Sequence, residues 1–192
     1  MQRHAPTPGN RMERYIGHTD EALAPEGIDL AHKTGQDTRV AVVHTSALQR
    51  TVQTAAILYP QAVVLRHPEL NEMHFGAFEG KSWRELEGDA DYAAWVASEC
   101  AAPCPGGESR AAFAQRCCRA FAGIVADARN EGQNSLHFVV HGGTIRAILH
   151  SFVVPRRGFF DWSAGHCERF VMESTPHEGQ FALAEHPETS GR

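Results

Sequence analysis

Three short apolar runs constrain the fold of this chain more than any other feature. Residues 40–44, 62–65 and 136–140 are almost continuously apolar, without the polar alternation of a strand that is solvated on one face. Such runs are typical of strands that are buried on both faces, as in a parallel sheet. Helical patterns follow them in the chain. Strands that alternate with helices favour a three-layer α/β/α sandwich with a mostly parallel sheet.

The remaining elements follow from apolar spacing and from the positions of glycine and proline. Helices are predicted over residues 26–36, 47–59, 108–130 and 144–152, with two short helices within 82–99. Residues 8–27 are expected to be irregular, because glycine and proline break every periodic pattern there. Two further strands, 168–173 and 180–185, are expected at the sheet edge. We expect one domain over residues 1–186, followed by a polar tail over 187–192.

Charge and composition argue against several classes of protein. The chain has 192 residues with 18 Lys plus Arg and 23 Asp plus Glu, a formal net charge of −5. A nucleic-acid partner is not expected, because a phosphate backbone demands a basic face. We find no apolar run that predicts a membrane span and no apolar leader, so we expect a cytoplasmic protein. The five scattered Cys indicate neither a disulfide framework nor a zinc site, and neither a metal nor a cofactor is expected.

Polar residues at two strand ends predict an anion site. Thr45-Ser46 and His141-Gly142-Gly143 both follow buried strands and precede helices. Ligands of open α/β sheets bind at the carboxyl ends of the strands, where helix N-termini favour anions. Arg50 lies early in its helix, from which it can reach back over the strand end. The pattern therefore predicts a phosphate or carboxylate site.

Two arginines and two histidines at loop positions suit phosphoryl transfer. Arg3 and Arg50 are each able to offer paired donors to phosphate oxygens. A neutral imidazole is a competent nucleophile near neutral pH, so either His4 or His141 is a candidate to attack phosphorus while the other donates a hydrogen bond.

A leaving alkoxide also needs a proton, and three acids lie in one loop region. Glu72 is the preferred proton donor by residue type and loop context. Glu69 and Glu79 are candidates on the same grounds, and composition does not separate the three.

Five motifs in order resemble the histidine phosphatase superfamily, the phosphoglycerate-mutase-like proteins. They are Arg3-His4-Ala5-Pro6-Thr7, the segment from Thr45 to Ala55, the segment from Glu69 to Gly80, Pro105-Gly106-Gly107-Glu108-Ser109 and His141-Gly142-Gly143-Thr144. The resemblance covers most of the chain and implies the phosphoglycerate-mutase-like fold. It implies no metal, since two arginines and two histidines supply the positive field.

The resemblance also implies a role for each site residue. His4 would be the phosphorylated nucleophile, and Glu72 the proton donor that later activates water. The phosphoryl group would be bound by the following residues: Arg3, Arg50 and His141, with further contacts from Asn10 and from the backbone at Gly142.

Chain length and local sequence narrow the resemblance to the shorter phosphatase branch. Only about 35 residues separate Glu72 from Glu108. The resemblance implies that a cofactor-dependent mutase would be a longer chain, with an extra segment between these two positions. The segments 15–27 and 92–95 look like those of α-ribazole phosphatases of cobalamin synthesis. The expected function is a metal-independent phosphomonoesterase for a small-molecule phosphate monoester, with α-ribazole 5′-phosphate as candidate. The alternatives are a mutase-type phosphoryl transferase and a catalytically impaired phospholigand-binding protein, and the expected state is a monomer or homodimer.

The chain departs from the resemblance at its N-terminus. The family has a buried apolar strand directly before the Arg-His pair, but here only Met1 and Gln2 precede Arg3. We therefore expect either a natural chain that is longer by several apolar residues or a missing first strand, which would leave neighbouring strand edges unpaired. Ala5 also replaces the glycine after the histidine, a tolerable change if its φ stays negative.

Overall fold

The computed structural model, which describes residues 1–177 and 179–184, has an α/β fold with a parallel main sheet. The strands are β1 (Gln2–Arg3), β2 (Val42–Thr45), β3 (Val63–Arg66), β4 (Phe138–Val140), β5 (Met172–Ser174) and β6 (Phe181–Leu183). The helices are α1 (Pro8–Arg11), α2 (Pro25–Thr34), α3 (Gln49–Leu58), α4 (Ala90–Ala97), α5 (Arg110–Asn130) and α6 (Gly142–Phe152). Short 3₁₀ turns cover Pro68–Leu70, Gly76–Phe78 and Phe159–Asp161. The expected tail, 187–192, lies outside the described residues.

Alternation along β4 shows that helices cover both faces of the sheet. Val139 belongs to the same apolar cluster as Ala31 of α2 and Ala55 of α3. Its neighbours Phe138 and Val140 belong to a second cluster with residues of α5 and α6. Because successive side chains of a strand point to opposite faces, the sheet lies between two helical layers. The predicted three-layer sandwich is confirmed.

The main sheet has the order β1-β4-β2-β3, and all of its pairs are parallel. The two expected edge strands are wrong in position, because β5 and β6 form a separate antiparallel pair. A single antiparallel bridge between Gln2 and Arg169 joins the segment before β5 to β1. Within the described residues, no helix combines the length and the apolar character needed to cross a bilayer.

The first strand is short, as expected, but it is not missing. In β1, Gln2 and Arg3 pair in register with Val139 and Val140 of β4. On the other side, the Arg3 amide donates to the Glu168 carbonyl at 3.1 Å, and the Cys167 amide donates to the Arg3 carbonyl at 3.1 Å. The expectation of unpaired edges is therefore wrong, since Gln2 and Arg3 pair with β4 on one side and the backbone of Arg3 bonds to Cys167 and Glu168 on the other.

The N-termini of α1 and α3 differ from the prediction. Residues 8–27 are not wholly irregular, because Thr7 and Asn10 form a capping box around α1 with Pro8 at its first position. Although the hydroxyls of Thr45 and Ser46 precede α3, no side chain caps it: the helix begins at Gln49 after Leu48.

The region 82–99 contains one helix instead of the two predicted. Asp89 accepts a hydrogen bond from the Tyr92 amide and caps the N-terminus of α4. Residues before Gly88 form turns, and Gly88 has a φ of +86°, which favours glycine and separates these turns from the helix. Trp95 of α4 and Phe113 of α5 belong to a third apolar cluster, which also contains Met73 and Phe78 of the segment 69–80. We call this segment the acid loop.

Candidate active site

His4 follows β1 and lies at the carboxyl end of the sheet. Its side chain is buried, with 3% exposure, and its Nδ1 is 2.7 Å from the Ala5 carbonyl oxygen. A carbonyl only accepts, so Nδ1 carries the proton and Nε2 keeps its lone pair in the neutral ring. Burial and the nearby Arg50 hold the pKa of His4 well below its usual value. This geometry presents an unprotonated Nε2, as a nucleophile requires.

His141 lies beside His4, at the junction of β4 and α6. The two ring centroids are 5.1 Å apart, and His141 is fully buried. Its Nδ1 accepts a hydrogen bond from Arg50 Nε at 3.2 Å, so its Nε2 donates to Ser46 Oγ at 2.8 Å. Burial, followed by Arg50, keeps the pKa of His141 well below its usual value. Both ring nitrogens are therefore engaged within the protein, and a hydrogen bond to a ligand would require the ring or its partners to shift.

Arg50 is a buried bridge between His141 and the loop after α1. It is the second residue of α3 and is fully buried. Its Nη2 donates to the Gly17 carbonyl at 2.7 Å, and its Nη1 donates to the Thr19 carbonyl at 2.9 Å. Most of the paired donors expected to face a phosphate are thus engaged with backbone carbonyls.

Arg3 has an unused donor at the site. Its Nη1 donates to the Ala164 carbonyl at 2.6 Å, while its buried Nε has no hydrogen-bond partner among the described residues. The guanidinium lies against Gly142, where an added Cβ would be 3.3 Å from Arg3 Nε. A buried donor without an acceptor is costly, and a phosphoryl oxygen is an acceptor that suits a guanidinium.

Glu72 lies at the N-terminus of α6. Its carboxylate accepts hydrogen bonds from the Gly143 amide and from its neighbour, the Met73 amide, both at 2.9 Å. Burial lowers the pKa of the Arg3 and Arg50 guanidiniums, and the nearby Glu72 carboxylate opposes that shift. The preferred acid thus lies among the arginines and against the helix N-terminus.

Glu79 binds backbone amides of the neighbouring loops. Its carboxylate accepts hydrogen bonds from the Gly17, His18 and Phe75 amides and from both donors of Thr19. Burial alone would raise the pKa of Glu79, but these hydrogen bonds hold it below its usual value. Glu79 therefore fixes the loop whose carbonyls bind Arg50.

Glu69 and Asn10 complete the predicted set. Glu69 is exposed, and its backbone carbonyl accepts a hydrogen bond from Arg116. Asn10 uses its Oδ1 to accept from the Thr7 amide at 3.2 Å. Its Nδ2 makes no hydrogen bond within the part of the chain that the structure describes, so both N–H groups of this amide are without a protein acceptor there.

Comparisons with known proteins show the family of this chain. The sequence model described as the histidine phosphatase superfamily, branch 1, matches residues 1–186. The chain belongs to the histidine phosphatase superfamily. Phosphatases are among the relatives of this superfamily member, which is consistent with a hydrolase.

Curated relatives and a solved structure give the extent of the similarity. The chain is 33% identical to the adenosylcobalamin/α-ribazole phosphatase of Salmonella typhimurium over 156 residues, 78% of this chain and 76% of that protein. It is 29% identical to the metal-independent phosphoserine phosphatase of Arabidopsis thaliana over 158 residues, 77% of this chain and 65% of that protein. The structure of the α-ribazole phosphatase of Shigella flexneri has a TM-score of 0.79 at 27% identity, over 96% of this chain and 95% of that one. This superfamily member thus spans less than two thirds of the Arabidopsis protein.

Sequence reasoning missed two residues that shape the site of this superfamily member. Arg116, on α5, donates to the carbonyls of Glu69 and Asn71 in the acid loop and pairs with Glu108. Its position in a helical pattern carries no signal of that contact. His166 donates from Nδ1 to the His4 carbonyl at 2.9 Å, and its place after a glycine in a loop was the only hint.

No group of three or more metal-ligating side chains forms within residues 1–177 and 179–184. All five cysteines are free thiols. Burial raises the pKa of Cys104 to about 11 and that of Cys117 to about 12, so these two thiols are poor ligands near neutral pH.

Proposed function

We propose that this chain is a phosphomonoesterase that works through a phosphohistidine at His4. One observation carries the proposal: His4 Nε2 is left unprotonated by the Nδ1–H hydrogen bond to the Ala5 carbonyl, close to Arg3 and to the buried Arg50. A neutral imidazole in a positive field is suited to attack on phosphorus.

In the first step, the His4 Nε2 lone pair forms a bond to phosphorus and the ester P–O bond breaks. A protonated Glu72 transfers its proton to the leaving oxygen, so an alcohol departs. Arg3 Nε, which has no protein partner among the described residues, donates to a phosphoryl oxygen in this proposal. Asn10 Nδ2 and the Gly142 amide are proposed to add further donors.

In the second step, water attacks the phosphohistidine. Glu72, now ionised, takes a proton from the water, the P–N bond breaks, and inorganic phosphate leaves with His4 neutral again. Glu72 is held at the α6 N-terminus by the Gly143 amide throughout both steps. The cycle needs no group beyond this chain and water.

The substrate is a finer proposal. The names of the Salmonella and Shigella proteins support α-ribazole 5′-phosphate as one candidate, and that of the Arabidopsis protein supports phosphoserine as another. Mutase-type transfer is the alternative activity, since relatives include a phosphoglycerate mutase of Gloeobacter violaceus at 32% identity. The cytoplasmic location and the monomeric or homodimeric state stay predictions.

The test is a rapid quench at alkaline pH, followed by mass spectrometry, with phosphate release measured in parallel. We expect phosphate on His4 and loss of turnover in His4→Ala, with turnover kept in His32→Ala, which removes an exposed histidine of α2. Turnover retained in His4→Ala would refute the mechanism. Faster isomerisation of 3-phosphoglycerate than release of its phosphate would favour the mutase, and phosphate binding without turnover of any ester would favour the ligand-binding protein.

A further inference from the structure

Two arginines lie over a pair of phenylalanines in the turn that follows α6. The Arg110 guanidinium carbon is 5.2 Å from the Phe159 ring centroid and 5.4 Å from that of Phe160. For Arg146 the two distances are 5.6 Å and 5.7 Å. Phe160 is 51% exposed, although it is a large apolar side chain. We call these four residues the rim cluster.

Arg146 lies one helical turn from the catalytic end of α6. Residues three and four apart share a helix face, so Arg146 projects from the face of Gly142 and Gly143. Those glycines contact Arg3 and Glu72 respectively. Arg146 therefore lies on the side of α6 that faces the phosphoryl site.

The backbone segment 162–164 limits the distance between the guanidiniums of Arg3 and Arg146. Arg146 Nε donates to the Trp162 carbonyl at 3.0 Å, and Arg3 Nη1 donates to the Ala164 carbonyl at 2.6 Å. Two residues of chain span at most about 7 Å. The rim cluster is thus within a small molecule's length of Arg3.

Arg110 reaches the same place from α5. The Cys118 thiol of α5 contacts the Ala147 carbonyl and Ser151 Oγ of α6, and the rings of Phe121 and Phe152 pack at 5.2 Å. Later residues of α5 thus meet later residues of α6. The two helices run in the same direction, and Arg110, the first residue of α5, lies near the α6 N-terminus.

The charge of the rim cluster is not neutralised. Neither Arg110 nor Arg146 forms an ion pair with a carboxylate of the described residues. Stacking on an aromatic ring attracts a cation but leaves its charge in place. Repulsion from Arg146 also acts to lower the pKa of Arg3, after the larger effects of burial, which lowers it, and of Glu72, which raises it. An ester whose leaving group carries a second negative charge would relieve this repulsion.

We propose that Arg110 and Arg146 bind a second anionic group on the leaving group of the substrate. The group is a carboxylate or a second phosphate, a few bonds from the ester oxygen, and Phe159 and Phe160 hold the two guanidiniums in place. The proposal rests on the proposed phosphomonoesterase function. It narrows the substrate class to small esters whose leaving group carries a carboxylate or a second phosphate, which favours phosphoserine over α-ribazole 5′-phosphate.

The test measures binding by calorimetry in the His4→Ala background, so that no ester is consumed. One matched pair is 3-phosphoglycerate against glycerol 1-phosphate, and the other is 1,3-propanediol bisphosphate against propyl phosphate. In at least one pair, we expect the compound with the second anionic group to bind about tenfold more tightly than its partner, as a charge-assisted contact allows. The pair with the larger preference identifies the second anion.

Arg146→Gln and Arg110→Gln are each expected to bring that preference close to one. Arg119→Gln, which removes an exposed charge elsewhere on α5, is expected to leave it at about tenfold. Thermal unfolding of each variant checks folding, and the conservative Arg110→Lys should keep part of the preference. Equal binding within both pairs, or an equal loss in Arg119→Gln, would overturn the proposal. A preserved binding preference without turnover of any ester by the unsubstituted chain would instead refute the phosphomonoesterase alone.

Discussion

At the scale of single residues, Gly143 decides where the acid lies. Its amide donates to Glu72 at 2.9 Å. A Cβ at this position would be 2.2 Å from Glu72 Oε1, much closer than two such atoms approach. Only glycine therefore allows the carboxylate to rest on the first turn of α6.

Gly143→Ala is expected to displace the Glu72 carboxylate and reproduce the effect of Glu72→Gln. With alkyl phosphates, kcat should fall by about 10²–10⁴-fold, the usual contribution of a general acid. With p-nitrophenyl phosphate the loss should be smaller, because its leaving group needs little protonation. Steady-state kinetics on both esters make the measurement.

The matched control is Gly123→Ala in α5, where an added Cβ meets no atom within 4 Å. Replacing glycine inside a helix is expected to stabilise the fold by about 0.5–1 kcal/mol and to leave kcat unchanged. An equal loss with alkyl and aryl esters in Gly143→Ala would mean that the acid is not what the substitution disturbs.

At the scale of elements, α5 fixes the acid loop through one side chain. Arg116 donates to the carbonyls of Glu69 and Asn71 at 2.8 and 3.0 Å, and its Nε and Nη2 bond the Glu108 carboxylate at 2.9 and 2.7 Å. Glu108 in turn accepts from the His74 amide at 2.9 Å. Residues on both sides of Glu72 are thus tied to the same helix.

Arg116→Lys is expected to lower kcat by up to about 10²-fold, the cost of a displacement of about 1 Å in a catalytic group. A lysine keeps the charge but lacks the planar fork that reaches two carbonyls and a carboxylate together. Because Arg116 acts through Glu72, we expect KM to change less than kcat and the pH–rate profile to shift. Kinetics across pH provide the readout, with Arg119→Lys on the exposed face of α5 as control. Full activity in Arg116→Lys would show that charge alone suffices.

At the scale of the whole molecule, the buried His44 and the partly buried His166 tie stability to pH. Burial and the neighbouring His67 lower the pKa of His44 to about 4, and burial and Arg3 lower that of His166 to about 4. In the unfolded chain, histidines bind protons below about pH 6.5. Between these values the unfolded state holds more protons than the native state, so the free energy of unfolding must fall as pH falls.

We expect each such histidine to reduce the free energy of unfolding by about 1.4 kcal/mol per pH unit below about pH 6. Urea titrations at pH 7, 6 and 5 measure the slope above the range in which carboxylates titrate. His166→Asn keeps a donor for the His4 carbonyl and should flatten the slope by one histidine's share. A free energy of unfolding that is constant from pH 7 to 5 would contradict the lowered pKa of His44 and His166 in the folded protein.

The sequence by itself determined the elements and the residues at their ends. Continuous apolar runs specify strands buried on both faces, and the position of His141 after such a strand follows from chain order alone. The strand before His4 has no such run, since Gln2 and Arg3 form it. Local patterns fail at α1, where side-chain capping outweighs glycine and proline, and at 82–88, where turns replace a helix. In both segments, two local conformations are close in free energy, and a few hydrogen bonds decide which one forms.

Only the tertiary structure decided which groups meet. Arg50 and His141, which are 91 positions apart, share a hydrogen bond because β2 and β4 are neighbours in the sheet. Contact with the α6 N-terminus distinguishes Glu72 from Glu69 and Glu79, a distinction that residue type alone does not predict. Each of these contacts depends on how distant segments pack, and packing depends on the whole set of buried surfaces, which no local pattern encodes.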